Sequence, residues 1–138
     1  MARVFISTLI VLSAAHVARA DEEMHVVTAS SFADPADVVA FKKCLKSGKT
    51  EQQCFAVGDN GIGLWGDDTT AAKPMCALPR DVWLAKWRKQ SIARGKKIEL
   101  SFNGKKVTCE LRDTMPPTAK ITNGAGIDLN PALPRRSV

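Results

Sequence analysis

The chain has no tyrosine, only two histidines and 6% aromatic residues in all. Without Tyr, and with its Lys and Arg dispersed, it is poorly supplied with stacking platforms for single-stranded nucleic acid, so no nucleic-acid partner is expected. The glycines of Gly58–Asp68 lack the G-K-[ST] ending of a phosphate loop. No D-x-D-x-D-G run marks a calcium loop, and no C-x₂-C pair marks a zinc site. Neither a metal nor an organic cofactor is expected. His25 stands near the start of the mature chain, which reads as a solvated residue and not as a base. No internal repeat is evident.

A long hydrophobic run is also missing, except at the start. Arg3, the apolar stretch Val4–Ala15 and the triplet Ala18-Arg19-Ala20 have the layout of a secretory signal peptide over residues 1–20, too short for a comfortable membrane span. No integral membrane anchor is expected, and the location implied is periplasmic or secreted. Cleavage would leave about 118 residues, enough for one domain, expected as a monomer. The mature chain is mildly basic, which fits attraction to an anionic wall but does not require it. All four cysteines, Cys44, Cys54, Cys76 and Cys109, lie beyond the leader. An even count in an exported small domain reads as two disulfides. Of three connectivities, Cys44–Cys54 would staple two short helices and Cys76–Cys109 would tie the middle of the chain to a hairpin.

The strongest local signal is that hairpin. Ile98, Leu100 and Phe102 alternate with polar residues, Asn103-Gly104 supplies a type I′ turn, and alternation resumes through Val107, Cys109 and Leu111. A two-residue loop pairs Phe102 with Lys105, Leu100 with Val107 and Ile98 with Cys109, placing both apolar sets on one face. His25–Phe32 reads as a first strand. Asp34-Pro35 opens a helix, with Asp34 as cap and Val38, Val39, Phe41 and Leu45 as its apolar stripe; Gly48 closes it. Thr50 and Gln53 form a capping box for a second helix, completing a helical hairpin over about 34–55. Arg80–Ala93 reads as one helix with Val82, Trp83, Leu84 and Trp87 inward. Asn130-Pro131 reads as a cap and the start of a final turn, and Pro134–Arg136 as a tail.

The hairpin ends at Asp113, followed by Pro116-Pro117, and a later short apolar piece ends at Asp128. Gly58–Asp68 offers Asn60, Trp65, Asp67 and Asp68 as candidate substrate-binding groups, and Asp59 as a further carboxylate for a cleft. Its glycines permit tight turns and close approach of a ligand or another backbone. Trp65 reads either as a sugar-stacking platform or as a cover for the core edge.

Three pieces, Met75-Cys76-Ala77-Leu78-Pro79, Asp113-Thr114-Met115-Pro116 and Ile127-Asp128-Leu129-Asn130, resemble motifs of the double-psi β-barrel family. That group includes rare lipoprotein A-like proteins, barwin, expansins, family 45 endoglucanases and a domain of membrane-bound lytic transglycosylase A. The corresponding motifs in rare lipoprotein A-like members read A-H-x-x-L-P, D-R-G-P and I-D-L-S. The resemblance covers about 58–133 and implies a mainly β fold with added helices: a six-stranded double-psi barrel, here carrying an N-terminal helical hairpin. It further implies an exported protein that meets polysaccharide, with peptidoglycan foremost, and makes Asp113 and Asp128 the candidate catalytic carboxylates. Asp113 would be the general acid of a lytic transglycosylase or glycosidase. Met75 stands where those relatives carry a histidine, so an arrangement using that histidine does not carry over. The alternatives are a non-catalytic glycan-binding or expansin-like module, and a secreted inhibitor or effector. In either, Asp113 and Asp128 could simply cap backbone amides.

Overall fold

A computed structural model describes residues 24–133. The expected signal peptide at 1–20 and the tail from Pro134 lie outside the described residues.

The hairpin forms in the expected register. Strand β3 (Lys97–Phe102) meets β4 (Lys105–Met115) across Asn103 and Gly104, both at positive φ (48° and 75°) as a type I′ turn requires. Phe102 pairs with Lys105, Leu100 with Val107 and Ile98 with Cys109. On the other side of β4, Met75–Pro79 (β2) runs parallel to it. Ala125–Leu129 (β5) pairs antiparallel with β2, and Thr28–Ser31 (β1) pairs parallel with β5. The order β1-β5-β2-β4-β3 is a mixed sheet that forms a half-barrel. Among the described residues five strands are paired, where the sequence reading expected six. The Gly-rich segment contributes only an isolated bridge, Ile62 to Asp68.

Among the described residues four α-helices accompany the sheet. Helix α1 (Pro35–Lys46) and α2 (Glu51–Cys54) form the expected hairpin, stapled by Cys44–Cys54 with Cα atoms 5.6 Å apart. The Thr50–Gln53 capping box is complete, and Gly48 (φ 83°) follows α1 as its left-handed stop. Asp34 does not cap α1 through its side chain; that carboxylate accepts from Ser31 Oγ at 2.9 Å. The stripe on α1 is also narrower than its sequence suggests. Phe41 is buried against Phe55 (centroids 4.9 Å apart), whereas Val39 and Leu45 are exposed. The expected single helix over 80–93 is two, α3 (Arg80–Trp87) and α4 (Gln90–Ala93), because Arg88 adopts φ 60° and terminates the first. Trp83 is buried with Ala93 and Leu111, Leu84 and Trp87 pack partly against them, and Val82 faces solvent.

The sheet separates two apolar clusters. Cys76, Cys109, Ile127, Leu129 and Leu133 gather around the second disulfide, Cys76–Cys109 (Cα atoms 5.8 Å apart). Phe32, Ala33, Ala77, Met115 and Ala125 form another cluster. Asn130 does not cap the final turn with its side chain. It is buried, accepts from the Met75 amide (3.0 Å) and donates to the carbonyls of Thr69, Ala71 and Lys73, so it pins the approach to β2.

Two irregularities decide which cluster each strand residue joins. In the β2–β4 register Cys76 faces Leu111 but Ala77 faces Asp113, leaving Arg112 as an extra residue. In the β1–β5 register Thr28 faces Ala125 but Ala29 faces Ile127, leaving Gly126 extra. Each is a β-bulge, which interrupts the period of two and turns the following side chain over. Uninterrupted alternation would have put Asp113 on the face of Cys109 and Leu111. The bulge instead puts it with Ala77 and Met115, while Thr114 joins the other face and accepts from Trp83 Nε1 at 3.0 Å.

Candidate active site

The register lines up four residues across neighbouring strands: Ser30 on β1, Asp128 on β5, Ala77 on β2 and Asp113 on β4. Directly opposed residues point to the same face of a sheet, so the two carboxylates share a face with only a methyl group between them. Two strand spacings place their Cα atoms roughly 9–10 Å apart. Ala77 itself is buried, in the cluster with Phe32, Ala33, Met115 and Ala125.

Asp113 is half-buried, and its Oδ1 accepts two backbone amides, Thr114 N at 2.7 Å and Leu64 N at 2.9 Å. Burial pushes its carboxyl up to about 6; the two amides oppose this, and the charges of Asp59 and Asp128 add to it. Asp128 is shifted the same way, first by burial, against the hydroxyl of Ser30, which donates to Oδ1, and with a contribution from Asp59. A carboxylate whose only task was to cap amides would be expected below the usual range, because donors favour the charged form.

The Gly-rich loop supplies the third carboxylate. Asp59 Oδ1 accepts from Gly61 N at 2.6 Å, and its own amide donates to the Asp37 carbonyl of α1 at 3.4 Å. The loop approaches the bulged backbone closely: a Cβ on Gly63 would sit 2.2 Å from the Arg112 carbonyl oxygen. A Cβ on Gly58 would likewise sit 2.2 Å from the Asp37 carbonyl. Glycine is required at both by close backbone approach, which brings Leu64 N onto Asp113.

The other expected site residues are employed elsewhere. Trp65 packs on Trp83 with ring centroids 6.2 Å apart, and its buried Nε1 has no hydrogen-bond partner among the described residues. Its ring is half-buried against the core edge. Asp67 bonds Arg112 (3.1 Å) and Arg94 (3.3 Å), and Arg112 continues to Glu110 (2.6 Å), so Asp67 braces the bulge from behind. Asp68 is exposed and accepts from the amide and hydroxyl of Thr70, which hold its carboxyl below the usual range. Asn60 closes its own turn by accepting from Ile62 N at 2.9 Å and reaches Glu51 at 3.5 Å. Met75 is buried. Asp113 and Asp128 are therefore brought onto one face, while Trp65, Asp67, Asp68 and Asn60 are engaged in the contacts just described.

Asp59 was visible in the sequence only as one of three loop aspartates, with nothing to favour it. Ser30, in a Ser-Ser pair after a β-branched run, carried no signal of its own. Among the described residues no group of three His, Cys, Asp or Glu side chains is arranged to hold a metal ion. No helix among them is long and apolar enough to cross a membrane. Comparison with protein-family models, curated proteins and solved structures gives no match.

Proposed function

We propose that the protein is exported and acts on a polysaccharide, with peptidoglycan as the first candidate, using Asp113 as the general acid of a lytic transglycosylase or glycosidase reaction. The observation that carries this reading is the half-buried Asp113 beside Asp128 and Asp59, its carboxyl raised to about 6. A group poised there can donate a proton to a glycosidic oxygen in mildly acidic or neutral surroundings and take one back. The arrangement suits a single-acid mechanism, in which the sugar's own hydroxyl is the nucleophile. A retaining hydrolase needs carboxyl groups about 5–5.5 Å apart. Should water be the nucleophile instead, Asp128 would be the base, and the separation of the two carboxyl groups would set the stereochemical outcome. The two disulfides are compatible with export. The double-psi barrel is kept as part of this proposal, supported by the five-stranded half-barrel.

A second reading, a non-catalytic glycan-binding module of expansin type, is favoured by Met75, a buried apolar residue where the resembled proteins carry histidine.

The test is incubation of the purified chain with peptidoglycan sacculi at pH 5 to 8, with released muropeptides resolved by mass spectrometry. Release by wild type and none by Asp113→Asn, with sacculus binding retained by both, is expected. Binding without release by wild type would select the non-catalytic reading. Neither binding nor release would sink both.

A further inference from the structure

We propose that Ser30 is a positioning residue that divides the roles of the two strand aspartates: its hydroxyl holds Asp128 as the ionised partner and so leaves Asp113 as the proton-bearing one. The inference rests on the functional reading above, but its physical content can be measured without any activity.

The geometry is specific. Ser30 lies directly opposite Asp128 in the parallel β1–β5 pairing and donates Oγ–H to Oδ1. A hydroxyl given to an ionised carboxylate is a charge-assisted bond, stronger than one to the neutral acid, so it favours the charged form of Asp128. The groups that bear on Asp128 are Ser30 from β1, Asp113 from β4 beyond Ala77, and Asp59 from the Gly-rich loop. Those that bear on Asp113 are the amides of Thr114 and Leu64 and the carboxylates of Asp59 and Asp128. Neighbouring carboxylates repel one another, and the charge persists where a donor holds it; at Asp113 burial outweighs the two amides and pushes the carboxyl up to about 6. The donor that would otherwise have to be supplied to Asp128 by water comes instead from an edge strand far away in sequence, and both side chains are only part-buried. Because the two aspartates are coupled, relieving one must move the other.

The experiment follows the side-chain carboxyl ¹³C signals of Asp113, Asp128 and the remote Asp81 by NMR against pH, in the mature chain and its variants. In Ser30→Ala, the Asp128 midpoint is expected to rise and the Asp113 midpoint to fall, since an Asp128 that protonates earlier no longer repels. Ser30→Thr, which keeps the hydroxyl, should restore the wild-type order. Asp81, tied to Thr118 on another part of the fold, should not move. Unchanged midpoints in Ser30→Ala would overturn the proposal, as would equal displacement of Asp81, which would mean a general loosening. If Ser30→Ala fails to fold, Asp128→Asn serves instead: the Asp113 midpoint should then fall, and adding Ser30→Thr should leave it there. An Asp113 midpoint unmoved in Asp128→Asn overturns the coupling. Failure of muropeptide release by wild type would remove the functional reading while leaving the titration result standing, so the two failures are distinguishable.

Discussion

Replacing Asp113 by Asn should stabilise the protein at neutral pH while removing its proton donor. The folded-state carboxyl lies near 6, against an ordinary value of 3.8. Because the folded pKa is the higher one, the folded state binds more protons than the unfolded chain between about pH 4 and 6. Stability associated with this group is therefore fully present below about pH 4 and is lost as pH rises through 6. A displacement of about two pH units corresponds to about 3 kcal/mol, and partial solvent contact reduces that to about 1–3 kcal/mol. Asn is nearly isosteric and its oxygen can still accept the amides of Leu64 and Thr114, so the charge is removed with little change in shape. For a domain of this size, Asp113→Asn should melt about 4 °C or more above wild type at pH 7.5. The gap should close toward pH 4. Thermal unfolding of both proteins at several pH values, followed by circular dichroism, measures the difference directly. Taking the difference cancels the slopes contributed by other carboxylates, such as Glu110, which Lys73 and Arg112 hold below the usual range. A variant that melts below wild type at pH 7.5, by an amount that shrinks only as pH falls below about 4, would refute the reasoning. Asp113 would then be an ordinary capping carboxylate.

Three further outcomes are expected. Gly63→Ala places a Cβ 2.2 Å from the Arg112 carbonyl, so the loop or the bulge must shift, at about 1–3 kcal/mol in urea unfolding, and the Leu64 amide should leave Asp113. Opening Cys76–Cys109 should cost about 1 kcal/mol more than opening Cys44–Cys54, because chain entropy grows with the loop closed (sequence separation 33 against 10). Serine replacements compared by urea denaturation would show it, and equal costs would count against the loop argument. Asn130→Ala removes one acceptor and the donor shared among three carbonyls at a buried position. It should destabilise by about 2–4 kcal/mol and speed amide hydrogen exchange at Met75.

What was legible in the sequence was whatever rests on short-range patterning. The β3–β4 register followed from Asn103-Gly104 and strict alternation, and the second helix start followed from Thr50 and Gln53, because turn and cap chemistry is decided within a few residues. The disulfide pairing could be inferred because Cys109 lies on the core face of a hairpin whose register was already determined. Reading 80–93 as a single helix failed at Arg88, since a non-glycine residue in the left-handed region leaves no compositional mark. The stripe on α1 overreached for a different reason. Val39 and Leu45 have helical spacing, but α1 packs mainly through Phe41, and periodicity does not report how wide the facing surface is.

The candidate site was legible in its carboxylates and not in its geometry, and the bulges explain why. Period-two reading carries Ile98, Leu100, Val107, Cys109 and Leu111 to one face and would carry Asp113 there too, into an apolar interior where its charge would be prohibitive. One unpaired residue, Arg112, reverses the outcome, and nothing in the one-letter sequence announces it. The residues that hold the bulge are themselves ones the sequence offered for another purpose: Asp67 braces Arg112 through an ion pair, and Gly63 lies against its carbonyl. Loop carboxylates look alike in sequence because Asp is favoured in turns whatever its further use. Only the docking of the loop onto β4 and α1 separates Asp59, which acts on both strand aspartates, from Asp67 and Asp68, which are neutralised or turned to solvent. The Gly-rich loop thus meets the strand aspartates through the Leu64 amide and the Asp59 carboxylate, while Trp65, Asp67, Asp68 and Asn60 make their contacts elsewhere. A substitution that changes those side chains should therefore be felt first in stability, and one that changes Gly63 or Asp59 first in the titration of Asp113.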